Sequence, residues 1–483
     1  MRGLTLAALL LAAIVSCKAS AQTSVSPTPP GPPPSDENKD LELIPAGAQQ
    51  PPDATATPAE VKSAPRRIYL EDAITGAQRR NELPEPQPPP PSFNWQDRLF
   101  VDWREEWGLG DGVRVNLSDR GNIRFENDIS FPNQKNLINE LRELYVSTEP
   151  ATRSYLDLGR INLKSGVALG YNPTDYFKTR AVVEPLSLDP TALRENRLGT
   201  IMARAQQIWE RGSLTAVLAP ALEKPPPIYT NLGLPSFNPM LGLTNGESRF
   251  LIKGTVDLAS NLSPELLLYR GGSETRFGLN VAENVNQRVV TYLEWSGGWQ
   301  GNLIEEALRF GRETGTLPAG APTVLPADPQ QSFRNQLALG VSYTTDSQVT
   351  LNLEYTFNQA GFTAADWSRW FKVGVAGSNN PAVPAELWYI RDYALDQQQP
   401  IAQHSVFLRA DWVDAFVPKL ELVGFIDADL RDGSSLMQLG ADYYLSDRWT
   451  IGGLVLVNSG GRRSDFGSLP QAASLLLKAA RYF

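Results

Sequence analysis

Hydrophobicity repeats every second residue, in runs of about 10–13, over most of the chain after Phe93. Met437, Leu439, Ala441, Tyr443 and Leu445 share one face; Gln438, Gly440, Asp442, Tyr444 and Ser446 share the other. Asp447-Arg448 makes a turn, and Trp449, Ile451, Gly453, Val455 and Val457 resume the apolar row. A second hairpin is as regular. Leu337, Leu339, Val341 and Tyr343 precede Thr345-Asp346-Ser347, and Val349, Leu351, Leu353, Tyr355 and Phe357 follow it. A period of two belongs to strands, whose side chains alternate across a sheet. The fold class is therefore all-β. A soluble sandwich would show the same alternation with its apolar face inward. Run length argues for a bilayer instead, because such runs approach the span of a tilted membrane strand and exceed a usual globular one. Tyr355, Phe357, Trp412, Tyr443 and Trp449 also sit near run ends, where interfacial aromatic girdles lie.

Composition permits this. The chain has 42% hydrophobic residues, a net charge of -9 and a mean hydropathy of -0.27. A transmembrane barrel looks this polar because only alternate residues meet lipid. The negative balance argues against non-specific nucleic-acid binding. Met1-Arg2, the apolar run Leu4 to Val15 and Ala19-Ser20-Ala21 read as a signal peptide, 1–21, too short to span a bilayer. A competing reading takes Ile14-Val15-Ser16-Cys17 as a lipobox, with Cys17 lipidated; cleavage after Ala21 is favoured. Cys17 is the only cysteine, so no intrachain disulfide forms.

Residues 22–92 break the pattern. Pro29-Pro30-Gly31-Pro32-Pro33-Pro34, Pro51-Pro52 and Pro88 to Pro91 favour extended polyproline II and bury little apolar surface. The segment is expected to be a disordered periplasmic extension, with one short element at Ile68–Ile74. The barrel domain is placed at 93–483.

The last run ends on Phe483, with Leu475, Leu477 and Ala479 on one side and Leu476, Lys478 and Ala480 on the other. It resembles the closing strand of Gram-negative outer-membrane β-barrels, whose final aromatic is the assembly signal. Arg481 holds the place where a second aromatic usually stands. The resemblance implies export to the outer membrane, contact with its lipid and lipopolysaccharide, and insertion by the barrel assembly machinery. If Phe483 lies at the periplasmic side, connections near 446–448, 414–418, 345–347, 284–286, 259–262, 210–212 and 148–151 fall periplasmic and are short. The long ones near 164–197, 223–246, 299–331 and 359–402 all fall extracellular, the asymmetry of bacterial barrels. The count is about 18 strands. It drops to 16 if 112–117 and 122–129 are one interrupted strand rather than two.

A barrel of 16–18 strands leaves an aqueous channel. Glu354, Asn352, Asp427, Asp429, Glu421, Asp442, Arg409, Asp411, Lys253, Asp257, Arg276 and Asn280 fall on inward rows. They make either a solvated wall or a transverse field that filters solutes by charge. The densest charge follows Tyr155-Leu156-Asp157-Leu158-Gly159-Arg160 through Lys164, Asn172-Pro173-Thr174-Asp175, Lys178, Arg180, Glu184, Asp189 and Arg197. Residues 155–199 resemble larger porin-like barrels, in which a long loop folds back to narrow the pore. The candidate constriction residues are Arg160, Lys164, Asp175, Lys178, Arg180, Arg276 and Glu354. Arg160 shares parity with Leu156 and Leu158. Two readings stand: Gly159 marks a bulge that turns it inward, or it snorkels at the outer rim.

In 359–402, Thr363 is a plausible N-cap for a helix with Trp367, Trp370 and Phe371 on one side. That side either packs on the barrel mouth, the favoured reading, or holds a sugar or aromatic solute. His404, the only histidine, and Asp411 are seven residues apart and so on opposite faces of a regular strand, which disfavours a catalytic pair. No phosphate loop or metal-ligand spacing appears, and no cofactor is expected. The resulting expectation is a non-enzymatic outer-membrane channel for passive diffusion of small hydrophilic solutes, with homo-oligomers left open. The alternatives are a secretion or assembly component using the Pro-rich arm, and a surface enzyme or adhesin. A TonB-dependent plug is disfavoured, since 22–92 is too short and too Pro-rich.

Overall fold

The computed structural model describes residues 66–81, 86–88, 94–110, 112–126, 137–183, 187–228, 237–259, 261–318, 323–326 and 330–483. The leader, Cys17 and the Pro-rich segments before 66 lie outside the described residues.

The chain first lays down β1 (Arg66–Arg79), β2 (Trp95–Gly110), β3 (Val113–Glu126), β4 (Leu137–Ala151), β5 (Ser154–Ile161) and β6 (Thr200–Trp209). Next come β7 (Gly212–Ala219), β8 (Arg249–Val256), β9 (Glu265–Gly271), β10 (Glu274–Asn286), β11 (Val289–Gln300) and β12 (Ser332–Thr344). The last six are β13 (Val349–Asn358), β14 (His404–Trp412), β15 (Leu420–Asp429), β16 (Ser435–Ser446), β17 (Trp449–Ser459) and β18 (Gln471–Tyr482). Each strand pairs antiparallel with the next, and β18 pairs back onto β1, with Tyr69 opposite Tyr482 and Ile74 opposite Leu477. The 18-stranded sheet is therefore a closed barrel. Closure leaves no edge strand with unpaired backbone groups, the condition for a sheet to cross hydrocarbon.

The alternation sorts side chains by face as the pattern requires. On β13, Asn352, Glu354, Thr356 and Asn358 are buried in the interior, while Leu351 and Leu353 are exposed outward. Leu408, Leu439, Ile451, Val455, Leu475 and Leu477 continue that outward apolar surface around the wall. An apolar exterior over a polar interior inverts a soluble sandwich, and it defines a transmembrane barrel.

One boundary differs from expectation. Val113–Glu126 form one strand, the interrupted-strand alternative, whose register against β4 shifts between Ser118 and Asp119. A further strand comes from the region expected to be disordered. β1 replaces the short element foreseen at 68–74, and it pairs along Arg66–Gly76 with β2 as well as with β18. Its strand pattern, Leu70, Asp72 and Ile74 against Glu71 and Ala73, is masked by prolines on both sides. The barrel wall thus begins at Arg66, not at 93.

All eight connections at the end where β18 finishes are short. The turns expected near 284–286 and 148–151 are shifted to 287–288 and 152–153. The opposite end carries the long connections, although 272–273 and 430–434 are short there as well. Helices at this long-loop end are α1 (Pro190–Glu195), α2 (Leu241–Thr244), α3 (Leu303–Glu313), α4 (Ala364–Ala376) and α5 (Ala382–Asp396). Thr363 caps α4 in a reciprocal capping box with Asp366. Trp367, Trp370 and Phe371 are buried against Leu387, Trp388 and Ile390 of α5 and Leu303 and Leu308 of α3. The packing reading of these aromatics holds, and they do not line a binding surface. Arg391 lies over the rings of Trp367, Trp370 and Trp388 at 5.3, 5.7 and 4.9 Å and pairs with Asp465 at 2.6 Å.

Candidate functional site: a loop pinned across the lumen

The connection between β5 and β6, residues 162–199, does not stay at the rim. Gly159, at φ 135°, takes a conformation closed to other residues, and a Cβ there would collide with the Leu144 backbone. Gly159 does not shift the pairing: Arg160 stays opposite Leu144 and Ile201, on the row of Leu158, yet is 3% exposed against 50% for Leu158. Its guanidinium donates to the carbonyls of Gly199 at 2.9 Å and Pro239 at 2.6 Å, tying the base of the loop to the next long connection.

Beyond Arg160 the loop is braced internally. The Asn172 side chain accepts from the Thr174 and Asp175 backbone at 3.1 and 2.9 Å, forming an Asx turn. Arg197 donates to Asp175 at 2.8 Å, Asn162 at 2.6 Å and the Leu163 carbonyl at 2.7 Å, so the outgoing and returning arms are clamped together. Arg194 donates to the Gly166 carbonyl at 2.8 Å.

Two wall glutamates then hold the tip. Glu294 of β11 accepts from the backbone of Val167 and Ala168 and from the Thr174 hydroxyl. Glu354 of β13 accepts from Leu169 at 2.6 Å, Gly170 at 2.8 Å and the Tyr292 hydroxyl at 2.5 Å. Four consecutive N–H groups of the loop thus end on two carboxylates that are 0% and 1% exposed. Charged acceptors make stronger hydrogen bonds than neutral ones. Gly170 packs directly on the Phe407 ring, where no side chain would fit. Further along, Ser187 and Leu188 bond Gln438 of β16, and Asp189 pairs with Arg409 of β14 at 2.8 Å. The returning arm meets the other wall. Asn196 accepts from Arg120 of β3 at 2.7 Å and Arg142 of β4 at 3.0 Å, and Glu195 lies 3.8 Å from Arg104 of β2.

Charge is segregated around the interior. Arg98 and Arg104 on β2, Arg120 and Arg124 on β3 and Arg142 on β4 project inward around Asp102, which accepts from Arg120 at 2.8 Å and Arg142 at 2.5 Å. In an 18-stranded ring, strands nine apart face each other, so this basic wall lies opposite β11–β13, which carry Glu294 and Glu354. The loop lies between the two.

Of the residues expected at a constriction, the structure brings four together. Asp175, Lys178, Arg180 and Arg276 line one cavity of about 470 Å³ with Arg249, Glu247 and Glu306. Arg180 pairs with Asp396 at the end of α5 at 2.8 Å and lies 5.0 Å over the Phe310 ring of α3. Arg276 pairs with Glu274 at 2.6 Å. Lys178 bonds the Asn172 carbonyl and lies 4.2 Å from the Tyr171 ring. Burial lowers its ammonium to about 7, against the pull of Asp175. Lys164 sits apart, paired with Glu195 near the basic wall, and Glu354 anchors the tip instead of lining the cavity. Among the other inward candidates, Asn352, Arg409, Asp411, Asp429 and Asn280 are buried, and Asp427, Glu421 and Asp442 are partly buried.

Glu294 and the basic wall on β2–β4 were not among the sequence candidates, and Arg197 was placed only in the charged segment, without a partner. Glu294 had a visible signal, since it stands between outward Leu293 and Trp295 on an alternating run. The basic wall had one too, in Gln96, Arg98, Phe100, Asp102 and Arg104, once 95–110 is read as a strand. The partners of Arg197 had no signal, because they are set by the loop's path. His404 is exposed outward at the rim and bonds the Tyr355 hydroxyl at 2.7 Å, while Asp411 is buried inside.

No protein-family profile matches the chain, and no curated protein matches its sequence. Among solved structures it is similar to OccK5 (OpdH) of Pseudomonas aeruginosa, at 8% identity and a TM-score of 0.48, over 86% of this chain and 97% of that one. OccK8 (OprE) of the same organism gives 11% and 0.48, and OccAB4 of Acinetobacter baumannii 6% and 0.48, each over 86% of this chain and 97% of the other. The chain is an 18-stranded antiparallel transmembrane barrel resembling Gram-negative outer-membrane porins, an architecture that rests on its own strand pairing.

Proposed function

We propose that the protein is an outer-membrane channel through which small hydrophilic solutes diffuse passively, narrowed by residues 162–199. The observation that carries this is the pair Glu294 and Glu354, which hold the loop tip against the wall opposite the basic strands. A loop pinned this way divides the lumen at a fixed place. It leaves lysine and arginine side chains on one side and carboxylates on the other, an arrangement that orients dipolar solutes and discriminates by charge. Arg160, Lys164, Asp175, Lys178 and Arg180 belong to the narrowing element in this reading, and Arg276 and Glu354 to the wall it works against. The helical crown of α3–α5 forms the outer vestibule, joined to the loop through Arg180 and Asp396.

Planar-bilayer recording of the purified barrel tests the proposal. Stepwise currents that small solutes block are expected. Glu294→Ala with Glu354→Ala should raise the single-channel conductance and its noise by freeing the loop. A folded, heat-modifiable barrel that passes no current would sink the channel reading.

A further inference from the structure

Arg481 stands in place of the second aromatic of the closing strand, and it takes no part in the lumen. It shares the outward row of β18 with Leu475, Leu477 and Ala479, and both leucines are exposed on the membrane side. Four residues, about 13 Å of strand, carry the row from Leu477 to Arg481 at the short-turn end. Trp449 of β17 stands directly opposite Arg481, and Tyr443 of β16 lies opposite Ile451, the next outward residue of β17. Trp103 of β2 is exposed on the same side, opposite Ile68 of β1. Such a belt of outward aromatics marks the boundary between hydrocarbon and headgroups. Arg481 therefore sits at the headgroup level of one leaflet.

Its surroundings supply rings but no anion. The guanidinium carbon lies 5.3 Å from the centre of the Trp449 ring and 4.6 Å from that of Phe483. Phe483 is fixed by its N–H, which donates to the Ile68 carbonyl at 3.0 Å. The Arg481 Nε is buried without an acceptor, and among the described residues no carboxylate pairs with the guanidinium. Other cations of this end do have one: Arg66 lies 4.0 Å from Glu105, and Arg288 lies 2.5 Å from Asp346. Asp72 of β1, an outward acid diagonal to Arg481, stands opposite Ala479 and is hydrogen-bonded to Asp97 instead. Phe483 lies two residues beyond Arg481 on the same row, so contact with its ring draws the side chain toward the headgroups and away from Asp72. The rings exclude water from the guanidinium, which strengthens its attraction for an anion. A charge left unpaired at an apolar boundary is costly, and a planar guanidinium meets phosphate oxygens with two parallel N–H bonds.

We infer that Arg481, flanked by Trp449 and Phe483, binds the phosphodiester of a glycerophospholipid in the leaflet at the short-turn end. Ala479, the next residue of the row toward the hydrocarbon, is small and leaves a step before Leu477 for the glycerol end of the lipid. The closing strand thus gives up one ring of its terminal signal and gains a headgroup clamp, while Trp449 and Phe483 keep the girdle.

Native mass spectrometry of the full chain tests this, after transfer from nanodiscs of phosphatidylethanolamine and phosphatidylglycerol into detergent. The unsubstituted barrel should retain a phospholipid. Arg481→Tyr should retain it about ten-fold less often, the loss of one charge-assisted pair. This variant carries the aromatic that such strands usually have, so heat-modifiable migration should stay normal. Arg481→Gln repeats the comparison without a new ring, and Arg481→Lys, which keeps the charge without the fork, should fall between. Retention by Arg481→Tyr and Arg481→Gln equal to that of the unsubstituted barrel overturns the proposal. So does an unsubstituted barrel that retains no phospholipid. Displacement of the lipid by inorganic phosphate would make this a site for soluble anions and overturns it too. Channel currents do not depend on this outward residue, so the test is separate from that of the channel.

Discussion

Gly159 and Lys178 show how much single positions decide. Gly159 is where an alternating strand becomes the base of an inward loop, and Gly159→Val would impose both a forbidden φ and a clash with Leu144. A loss of heat-modifiable, folded barrel is expected, measured as the temperature at which the compact form disappears. Lys178 sits in the cavity with a proton affinity near neutrality. As pH falls through about 7, its ammonium forms beside Arg180, Arg249 and Arg276, so reversal potentials should shift toward anions between pH 8 and pH 6. Lys178→Met should flatten that dependence. The linkage has a matching sign. Between about 7 and the ordinary lysine value of 10.5 the unfolded chain binds the extra proton, so Lys178 favours stability as pH rises through that window. Below about 7 its burial cost is fully present.

At the scale of elements, the loop and the crown are folded units laid over the wall. Each bond from a loop N–H to Glu294 or Glu354 is worth about 1.5–3 kcal/mol, as hydrogen bonds to charged groups are. Glu354→Gln keeps one acceptor and should disturb the current less than Glu354→Ala. Bilayer noise analysis of the two variants distinguishes anchoring from a simple charge effect. The crown depends on Trp370, which is fully buried and donates to the Leu387 carbonyl at 3.0 Å. Trp370→Ala should cost about 3–5 kcal/mol of local stability. Hydrogen exchange should then speed up in α4 and α5 and leave β12–β16 protected.

At the scale of the whole molecule, closure is the decisive fact. β1 supplies the partner for both β2 and β18, so a chain truncated to begin at residue 93 would leave two long edges in the membrane. Such a truncation should yield no heat-modifiable barrel on refolding into detergent, whereas one beginning at residue 60 should refold. The alternation makes a total near 18 legible, but not which segments supply it: 113–126 reads equally as one strand or two, and β1 is hidden between proline-rich segments.

The sequence by itself determined the class of fold, because a period of two leaves one face of each strand apolar whatever the strand pairs with. It also determined the end-to-end asymmetry, because loop length is a property of the chain. It placed the α4 cap, because a capping box is local. It foretold an inward loop, although residue parity left the direction of Arg160 open. What only the tertiary structure decided were the long-range meetings: Glu294 and Glu354 with the loop tip, Arg197 with Asp175, and the basic wall with its acidic counterpart. These depend on which strands face each other across a closed ring, and on the path of a loop whose partners lie far along the chain. Neither leaves a periodic trace in the order of residues.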